Sequence, residues 1–142
     1  EKIIGCGALF YSKETNRFLL LHRTQSKQNR VWGLVGGTTT DELAWQGLKR
    51  EIKEEIGDVK ILKTIPMETF ISNDEAFLYH TYLCVVGPEF LPKLNKEHDG
   101  FAWCTFNHWP KPLHQGLRKT LQSKVNQTKL ETVFKILKFL DD

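Results

Sequence analysis

Three glutamates, Glu51, Glu54 and Glu55, lie within five successive positions of a chain whose formal net charge is +3. Because carboxylates this close repel one another, we expect a compensating positive charge beside them. Clustered carboxylate oxygens are the ligands that Mg²⁺ and Mn²⁺ prefer. No histidine or cysteine stands next to them in the sequence to favour zinc. The cluster therefore indicates a site for Mg²⁺ or Mn²⁺.

A helix predicted at about residues 41–56 must hold these glutamates. At 100° per residue, Glu55 lies about 40° from Glu51, and Glu54 lies about 60° away on the other side. Glu55 therefore borders the apolar stripe that faces the core. The residues of that stripe are Trp45, Leu48, Ile52 and Ile56.

Positive charge on the same helix does not balance the glutamates. Lys49 and Lys53 project from another part of the helix, and Arg50 pairs with Glu54 at i,i+4. A charged run of this kind more often forms a solvated face of a helix. Against it stand the border with the apolar stripe, an expected Gly-Gly turn directly before the helix, and Gly47 within the acidic stripe. Glycine costs a helix about 0.8–1 kcal/mol relative to alanine, so Gly47 indicates close approach by another segment or a ligand.

The spacing of these residues resembles the Nudix box, G-x5-E-x7-R-E-U-x-E-E-x-G-U, in which U is an aliphatic residue. Eight of its nine defined positions are matched, by Gly36, Glu42, Arg50, Glu51, Ile52, Glu54, Glu55 and Gly57. Asp58 departs from the last aliphatic position. The resemblance extends through "LLLHR", "WGLVGG" and "KEHDGFAWCTF", and covers roughly residues 3–125.

The resemblance implies an α/β/α sandwich with a mixed β-sheet. The implied enzyme hydrolyses a pyrophosphate bond in a small-molecule nucleoside diphosphate derivative, using water activated by Mg²⁺ or Mn²⁺. Glu51 and Glu55 would bind the metal directly, and Glu54 would act as a ligand or through a water. The Gly36 carbonyl would add an oxygen ligand, and Arg50 would support catalysis by orienting the glutamates.

Further candidates lie outside the core of the box. Glu97, in the loop before a predicted strand, is a candidate general base or extra metal ligand, because related enzymes often supply one from this loop. His98 could compete with it, although a surface-loop histidine is the commoner meaning. Arg23 is a candidate phosphate contact, and Glu42 would orient the site or contact substrate, or is an ordinary first-turn acid. Aromatic candidates for the nucleobase, with Tyr79 taken as substrate-binding, are Phe70, Phe77, Tyr79, Tyr82, Trp103 and Trp109.

The Gly-Gly turn expected at 36–37 is one residue shorter than in many family members, whose second glycine begins the box. The alternative function is therefore a catalytically weak Nudix-fold domain that binds or senses a nucleotide. The intact run at residues 50–55 favours the enzyme. ADP-ribose, dinucleoside polyphosphates, nucleotide sugars and modified nucleotides all stay open as substrates.

Strands and helices alternate along the chain in a way that predicts one mixed α/β domain over residues 1–142. Strands are predicted at 3–11, 18–22, 31–35, 59–72, 75–86 and 100–106, with "NDE" as a hairpin turn. Residues 39–42 fit a capping box before the glutamate helix, and Gly57 is its expected end. One or two amphipathic helices are predicted at about 113–140.

The composition, 40% hydrophobic and 26% charged, is that of an ordinary globular protein. No apolar run approaches the roughly 18 residues of a membrane span, so no membrane contact is expected. No lysine or arginine block indicates sequence-specific nucleic-acid binding. Cys6, Cys84 and Cys104 lie far apart in apolar stretches and are expected to be reduced core thiols of a cytoplasmic protein. The oligomeric state is left open, with a homodimer as one option.

Overall fold

The computed structural model describes residues 2–39 and 43–141. These residues form one β-sheet and three helices. In chain order the elements are β1 (Ile3–Ser12), β2 (Arg17–Arg23), β3 (Trp32–Gly33), β4 (Val35–Thr39), α1 (Ala44–Ile56), β5 (Lys63–Ile71), β6 (Phe77–Val86), β7 (His98–Cys104), α2 (Gln115–Gln122) and α3 (Lys124–Asp141).

Strand β1 lies at the centre of a mixed sheet. It pairs in parallel with β6 along its whole length, from Ile3 opposite Phe77 to Ser12 opposite Val86. Its other edge is shared, because β4 pairs antiparallel with its first half and β2 with its last residues. Strand β5 pairs with β6, and β3 and β7 both pair with β2. The sheet therefore combines parallel and antiparallel neighbours, as predicted.

Helices cover both faces of this sheet. Side chains alternate between the faces of a strand, so Cys6 and Phe10 belong to one core and Leu9 and Tyr11 to the other. The α1 residues in the first core are Leu48, Ile52 and Ile56. The α2 and α3 residues in the second core are Leu117, Leu121, Leu130 and Leu137. The predicted α/β/α sandwich is confirmed.

The glutamate helix α1 begins at Ala44 and not near residue 41, because Leu43 before it has an extended backbone. Leu43 is the N-cap and makes no side-chain capping hydrogen bond. Residues 40–42 of the predicted capping box lie outside the described residues. Gly57 ends the helix as predicted, with φ at 92° and its N–H donating to the Lys53 carbonyl at 3.2 Å.

The prediction of a turn at Gly36 and Gly37 is wrong. Both glycines lie within β4, where they pair with Gly7 and Cys6 of β1. An added Cβ at Gly36 would collide with the carbonyl oxygen of Cys6. A glycine is therefore needed here because the two strands approach closely. In the sequence, a glycine pair with this role looks the same as a glycine pair in a turn.

Three other predictions have clear outcomes. The strand predicted at 31–35 is interrupted at Leu34, so that β3 pairs with β2 while β4 pairs with β1. The helices predicted at about 113–140 are present as α2 and α3. All three cysteines are in the thiol form, and burial raises the pKa of Cys84 to about 12.

No helix in the described part of the chain is long and apolar enough to cross a membrane.

We expect Gly36→Ala to lower the free energy of unfolding by about 1–3 kcal/mol, because the added methyl group would overlap backbone atoms of β1. Denaturant unfolding followed by tryptophan fluorescence measures this loss. The matched control is Gly100→Ala in β7, whose Cβ would meet the His22 Cβ at an ordinary 3.6 Å. Unchanged stability of Gly36→Ala would show that β1 and β4 can move apart at no cost.

Candidate metal and substrate site

Glu55 is a carboxylic residue within the protein core. It lies where α1 packs against β4, and only 1% of its surface is exposed. Its Oε1 accepts a long hydrogen bond, 3.5 Å, from the Gly36 amide. Among the described residues, its buried Oε2 has no hydrogen-bond partner. Burying a carboxylate oxygen without a partner is costly. A positively charged group bound to this atom would remove that cost.

His98 lies directly against this carboxylate. It is the first residue of β7, it pairs with Arg23 of β2, and its side chain is fully buried. Its Nδ1 lies 3.8 Å from Glu55 Oε1. Burial, and then the charge of Arg23, lowers the pKa of His98 to about 4, so the imidazole is neutral at pH 7. The interpretation of His98 as a surface-loop histidine is wrong, because β7 begins before the predicted residue 100 and takes this side chain into the core.

Glu97 completes a cluster with these two residues. Single ligand atoms of Glu55, Glu97 and His98 all lie within 4.8 Å of one another. The loop before β7 is held from two sides. The Thr24 amide donates to the Glu97 carbonyl at 2.9 Å, and Asn95 Nδ2 donates to a backbone carbonyl of α1 at 3.1 Å. The half-buried Glu97 is thus held beside Glu55 and His98, and its role as general base or extra ligand stays a prediction.

Glu51 lies one helical turn before Glu55. Its side chain is 15% exposed, and its carboxylate lies so close to Gly37 that an added Cβ there would stand 2.7 Å from Glu51 Cδ. Arg50 Nη1 donates to Glu51 Oε1 at 2.9 Å and to the more exposed Glu54 at 3.4 Å. The predicted i,i+4 pair is present, and the same guanidinium also restrains Glu51.

The surroundings of Glu55 disfavour its charged form. Burial raises the pKa of Glu55, and the neighbouring Glu51 and Glu97 carboxylates raise it further. A divalent cation would have the opposite effect, because it favours the ionised carboxylate. The Glu55 carboxylate, whose buried Oε2 lacks a hydrogen bond among the described residues, and the neighbouring Glu51 and Glu97 carboxylates offer oxygen donors that fit such a cation.

A cleft of about 620 Å³ lies on the α2 side of the sheet. Gly36 and Gly37 line it together with the aromatic side chains of Phe70, Phe77 and Tyr79. The ring centroids of Phe70 and Phe77 are 6.4 Å apart, and those of Phe77 and Tyr79 are 6.2 Å apart. A cleft of this size, with an aromatic wall, is typical of a small-molecule site.

Tyr79 owes its place in the cleft to two glycines of β1. Any side chain at Gly5 or Gly7 would collide with the tyrosine ring or its hydroxyl. Burial raises the pKa of Tyr79, so its hydroxyl keeps its proton. The other aromatic candidates pack elsewhere: Tyr82 and Trp103 against the core under α1, and Trp109 against the core under α2 and α3.

Arg23 lines the cleft, but its guanidinium holds the neighbouring loop. Nε donates to the Gln28 carbonyl at 3.0 Å, and Nη2 donates to Gln25 Oε1 and the Lys27 carbonyl, both at 3.1 Å. Burial lowers its pKa, whereas Tyr79 and the nearby carboxylates raise it. Contact with a phosphate stays a prediction for Arg23. The predicted site residue Glu42 lies outside the described residues.

Glu68 is a cleft residue that sequence reasoning missed. It follows an irregularity in the pairing of β5 with β6, after Pro66. Thr120 Oγ1 donates to Glu68 Oε1 and Asn126 Nδ2 donates to Oε2, each at 2.8 Å. Three separate elements build this network, so no local sequence pattern could have indicated it.

Comparison with known proteins identifies the fold. A sequence model of the NUDIX domain matches residues 2–123. A comparison with curated proteins found no match. Among solved structures, a MutT NUDIX hydrolase from Burkholderia pseudomallei superposes with a TM-score of 0.67 and 22% identity, over 87% of this chain and 98% of that one.

Two further similar structures are of proteins described in connection with ADP ribose. The NUDIX domain of Shewanella oneidensis NrtR, solved with ADP ribose, has a TM-score of 0.69 and 16% identity, over 92% of this chain and 89% of that one. A bifunctional NMN adenylyltransferase/ADP ribose pyrophosphatase from Francisella tularensis has a TM-score of 0.57 and 21% identity, over 76% of this chain and 35% of that one.

These findings confirm the predicted fold, and the family match supports the predicted class of enzyme, a hydrolase of phosphoric anhydrides. At such low identities the solved structures establish only the fold. The family is established by the sequence model, which matches most of the chain. The chain belongs to the NUDIX domain family.

Proposed function

We propose that the protein hydrolyses a pyrophosphate bond in a nucleoside diphosphate derivative, with Mg²⁺ or Mn²⁺ bound by the α1 glutamates. The position of Gly36 and Gly37 carries this proposal. Both line the cleft, while Glu55 accepts a hydrogen bond from the Gly36 amide and Glu51 lies against Gly37. Phosphates that reach these glycines from the cleft would therefore meet the carboxylate cluster.

The two ends of the site suit the two ends of such a substrate. Phe70, Phe77 and Tyr79 offer aromatic surfaces to a nucleobase. Glu68, held by donors on both of its oxygens, is placed to accept a hydrogen bond from a base or sugar. At the other end, the Glu55 and Glu97 carboxylates meet the His98 imidazole, and a negative phosphate could approach them only with a cation between.

The roles at the carboxylate end follow from burial and contacts. A bound divalent cation neutralises charge on phosphate oxygens and lowers the pKa of water. Glu51, Glu55 and the Gly36 carbonyl are the proposed ligands, and the exposed Glu54 assists as a ligand or through water. Arg50 keeps Glu51 in place through its hydrogen bond. Glu97, half-buried at the edge of the cluster, accepts the proton of the attacking water.

The substrate class is proposed from the cleft and from the similar structures. A volume of about 620 Å³ accommodates a nucleotide derivative. The NrtR domain was solved with ADP ribose, and the Francisella protein is an ADP ribose pyrophosphatase. ADP-ribose is therefore the first compound to test, before nucleotide sugars, dinucleoside polyphosphates and modified nucleotides.

Incubation of the purified protein with these compounds and Mg²⁺, followed by phosphatase treatment and phosphate detection, tests the proposed activity. We expect a nucleoside monophosphate among the products. Calorimetry on the same compounds tests the alternative. Tight binding of a nucleotide without any product would assign the chain to the class of binding or sensing domains.

We expect Glu55→Gln to lower kcat/KM by about a hundredfold or more, because the metal loses a charged ligand. The melting temperature should stay the same or rise, because a buried carboxylate without a counter-charge is removed. Steady-state kinetics and thermal unfolding measure the two effects. Glu131→Gln, the same change at an exposed position of α3, is the control. Near-normal turnover of Glu55→Gln would show that this carboxylate does not bind the metal.

Gly37→Ala tests the position of the Glu51 carboxylate. The new Cβ would lie 2.7–2.9 Å from the carboxylate atoms of Glu51, a flexible side chain that can move aside. We expect a stable protein whose kcat falls by about tenfold to a hundredfold, because the ligand is displaced. Gly36→Ala is the matched comparison, since it meets backbone and should affect stability first. Full activity of Gly37→Ala would mean that the exact place of Glu51 does not matter.

Glu97→Gln separates a base from a ligand. As the general base, Glu97 contributes about 10²- to 10⁴-fold to kcat, and its loss should leave metal affinity nearly unchanged. We expect this outcome in a measurement of kcat across a Mg²⁺ titration. Partial rescue at high Mg²⁺ would instead identify Glu97 as a metal ligand. An unchanged rate at every concentration would exclude Glu97 from the site.

A further inference from the structure

The imidazole of His98 is buried beside the Glu55 carboxylate, and neither ring nitrogen makes a hydrogen bond to any residue that the structure describes. Within residues 2–39 and 43–141, the buried side-chain nitrogen and oxygen atoms that lack a hydrogen bond are Glu55 Oε2 and both ring nitrogens of His98. Buried polar groups are nearly always paired. Three unpaired atoms on two touching side chains therefore point to a group that binds between them.

The spacing of these atoms excludes a direct hydrogen bond and fits shared coordination. His98 Nδ1 lies 3.8 Å from Glu55 Oε1, beyond hydrogen-bonding distance. Metal–nitrogen and metal–oxygen bonds of about 2.0–2.2 Å place two ligands of one ion roughly 3–4 Å apart. A ligand atom of Glu97 lies within 4.8 Å of both residues.

The backbone holds His98 in this position independently of any ligand. Its pairing with Arg23 is part of the β2–β7 ladder, and its N–H donates to the Asn95 carbonyl at 3.3 Å. Asn95 Nδ2 in turn donates to the Glu54 carbonyl of α1. The loop residue Asn95 thus connects the start of β7, which carries the imidazole, to the helix that carries the carboxylates.

We propose that His98 supplies an imidazole nitrogen to the same divalent cation as Glu55, and that this ligand makes the site prefer Mn²⁺ to Mg²⁺. The proposal rests on the metal-dependent function proposed above and specifies its cation. Mg²⁺ is bound almost entirely through oxygen, whereas first-row transition ions accept imidazole together with carboxylates. No histidine stands near the glutamates in the sequence, and the fold brings one to them.

Pulsed EPR of the intact protein loaded with Mn²⁺ tests the proposal without measuring activity. Electron spin echo envelope modulation detects a directly bound imidazole nitrogen. We expect ¹⁴N modulation in the wild type and its loss in His98→Gln, which keeps a polar side chain of similar size. His108→Gln, at an exposed histidine, is the control and should keep the modulation.

Calorimetric titrations with MnCl₂ and MgCl₂ complete the experiment. We expect His98→Gln to weaken Mn²⁺ binding by about tenfold or more and to change Mg²⁺ binding much less. A wild-type spectrum without ¹⁴N modulation overturns the proposal by itself, even where the variant does not fold. If neither protein binds either ion and Glu55→Gln keeps its turnover, the proposed metal-dependent function fails as well.

Discussion

The site depends on the burial of the Glu55 carboxylate between α1 and β4. A charged group in a protein core is unfavourable unless it is paired, and the hydrogen bond that the Gly36 amide donates to this carboxylate is long, at 3.5 Å. The apolar anchors Leu48, Ile52 and Ile56 hold α1 against the sheet and so keep the carboxylate in place. Stability is given up at this one position, and the apolar contacts of the surrounding core compensate for it.

Strand β4 contacts the glutamate helix α1 and also lines the cleft, and its glycines allow close approach at both places. Gly36 allows β4 to approach β1, and Gly37 leaves room for the Glu51 carboxylate. On the neighbouring strand, Gly5 and Gly7 leave room for Tyr79. A larger residue at Gly5, Gly7 or Gly37 would collide with Tyr79 or Glu51, and one at Gly36 would collide with the backbone of β1. Glycine is a poor strand former, so its presence here reflects these close approaches.

Sequence periodicity and spacing predicted the parts of the structure that are locally encoded. The border position of Glu55 followed from helical geometry alone, and its burial in the structure agrees with that position. The turn proposed at Gly36 and Gly37 was wrong because glycine signals both turns and close strand approach. His98 was misjudged because its burial depends on the register of β7 against β2, which is a long-range property.

The lining of the cleft that we propose for the substrate also depends on residues that are far apart in the sequence. The glutamate motif lies on one helix, but the cleft is built by β5, β6, α2 and the loop held by Arg23. Members of the family can therefore share the motif and differ in the compound they bind. Glu68 illustrates this, because its two hydrogen bonds come from Thr120 and Asn126 on separate helices.

Arg23 connects the two halves of the site electrostatically. Its charge interacts with Tyr79 in the cleft wall and with Glu55 and Glu97 in the carboxylate cluster. Several of its N–H groups already hold the loop at residues 25–28, so the residue orders the rim of the cleft. Because Coulomb interactions act over several ångströms in a half-buried site, the guanidinium would favour a phosphate chain in the proposed function without leaving the loop. A positive charge fixed by its own loop loses little side-chain entropy when an anion arrives, which is an advantage over a mobile surface lysine.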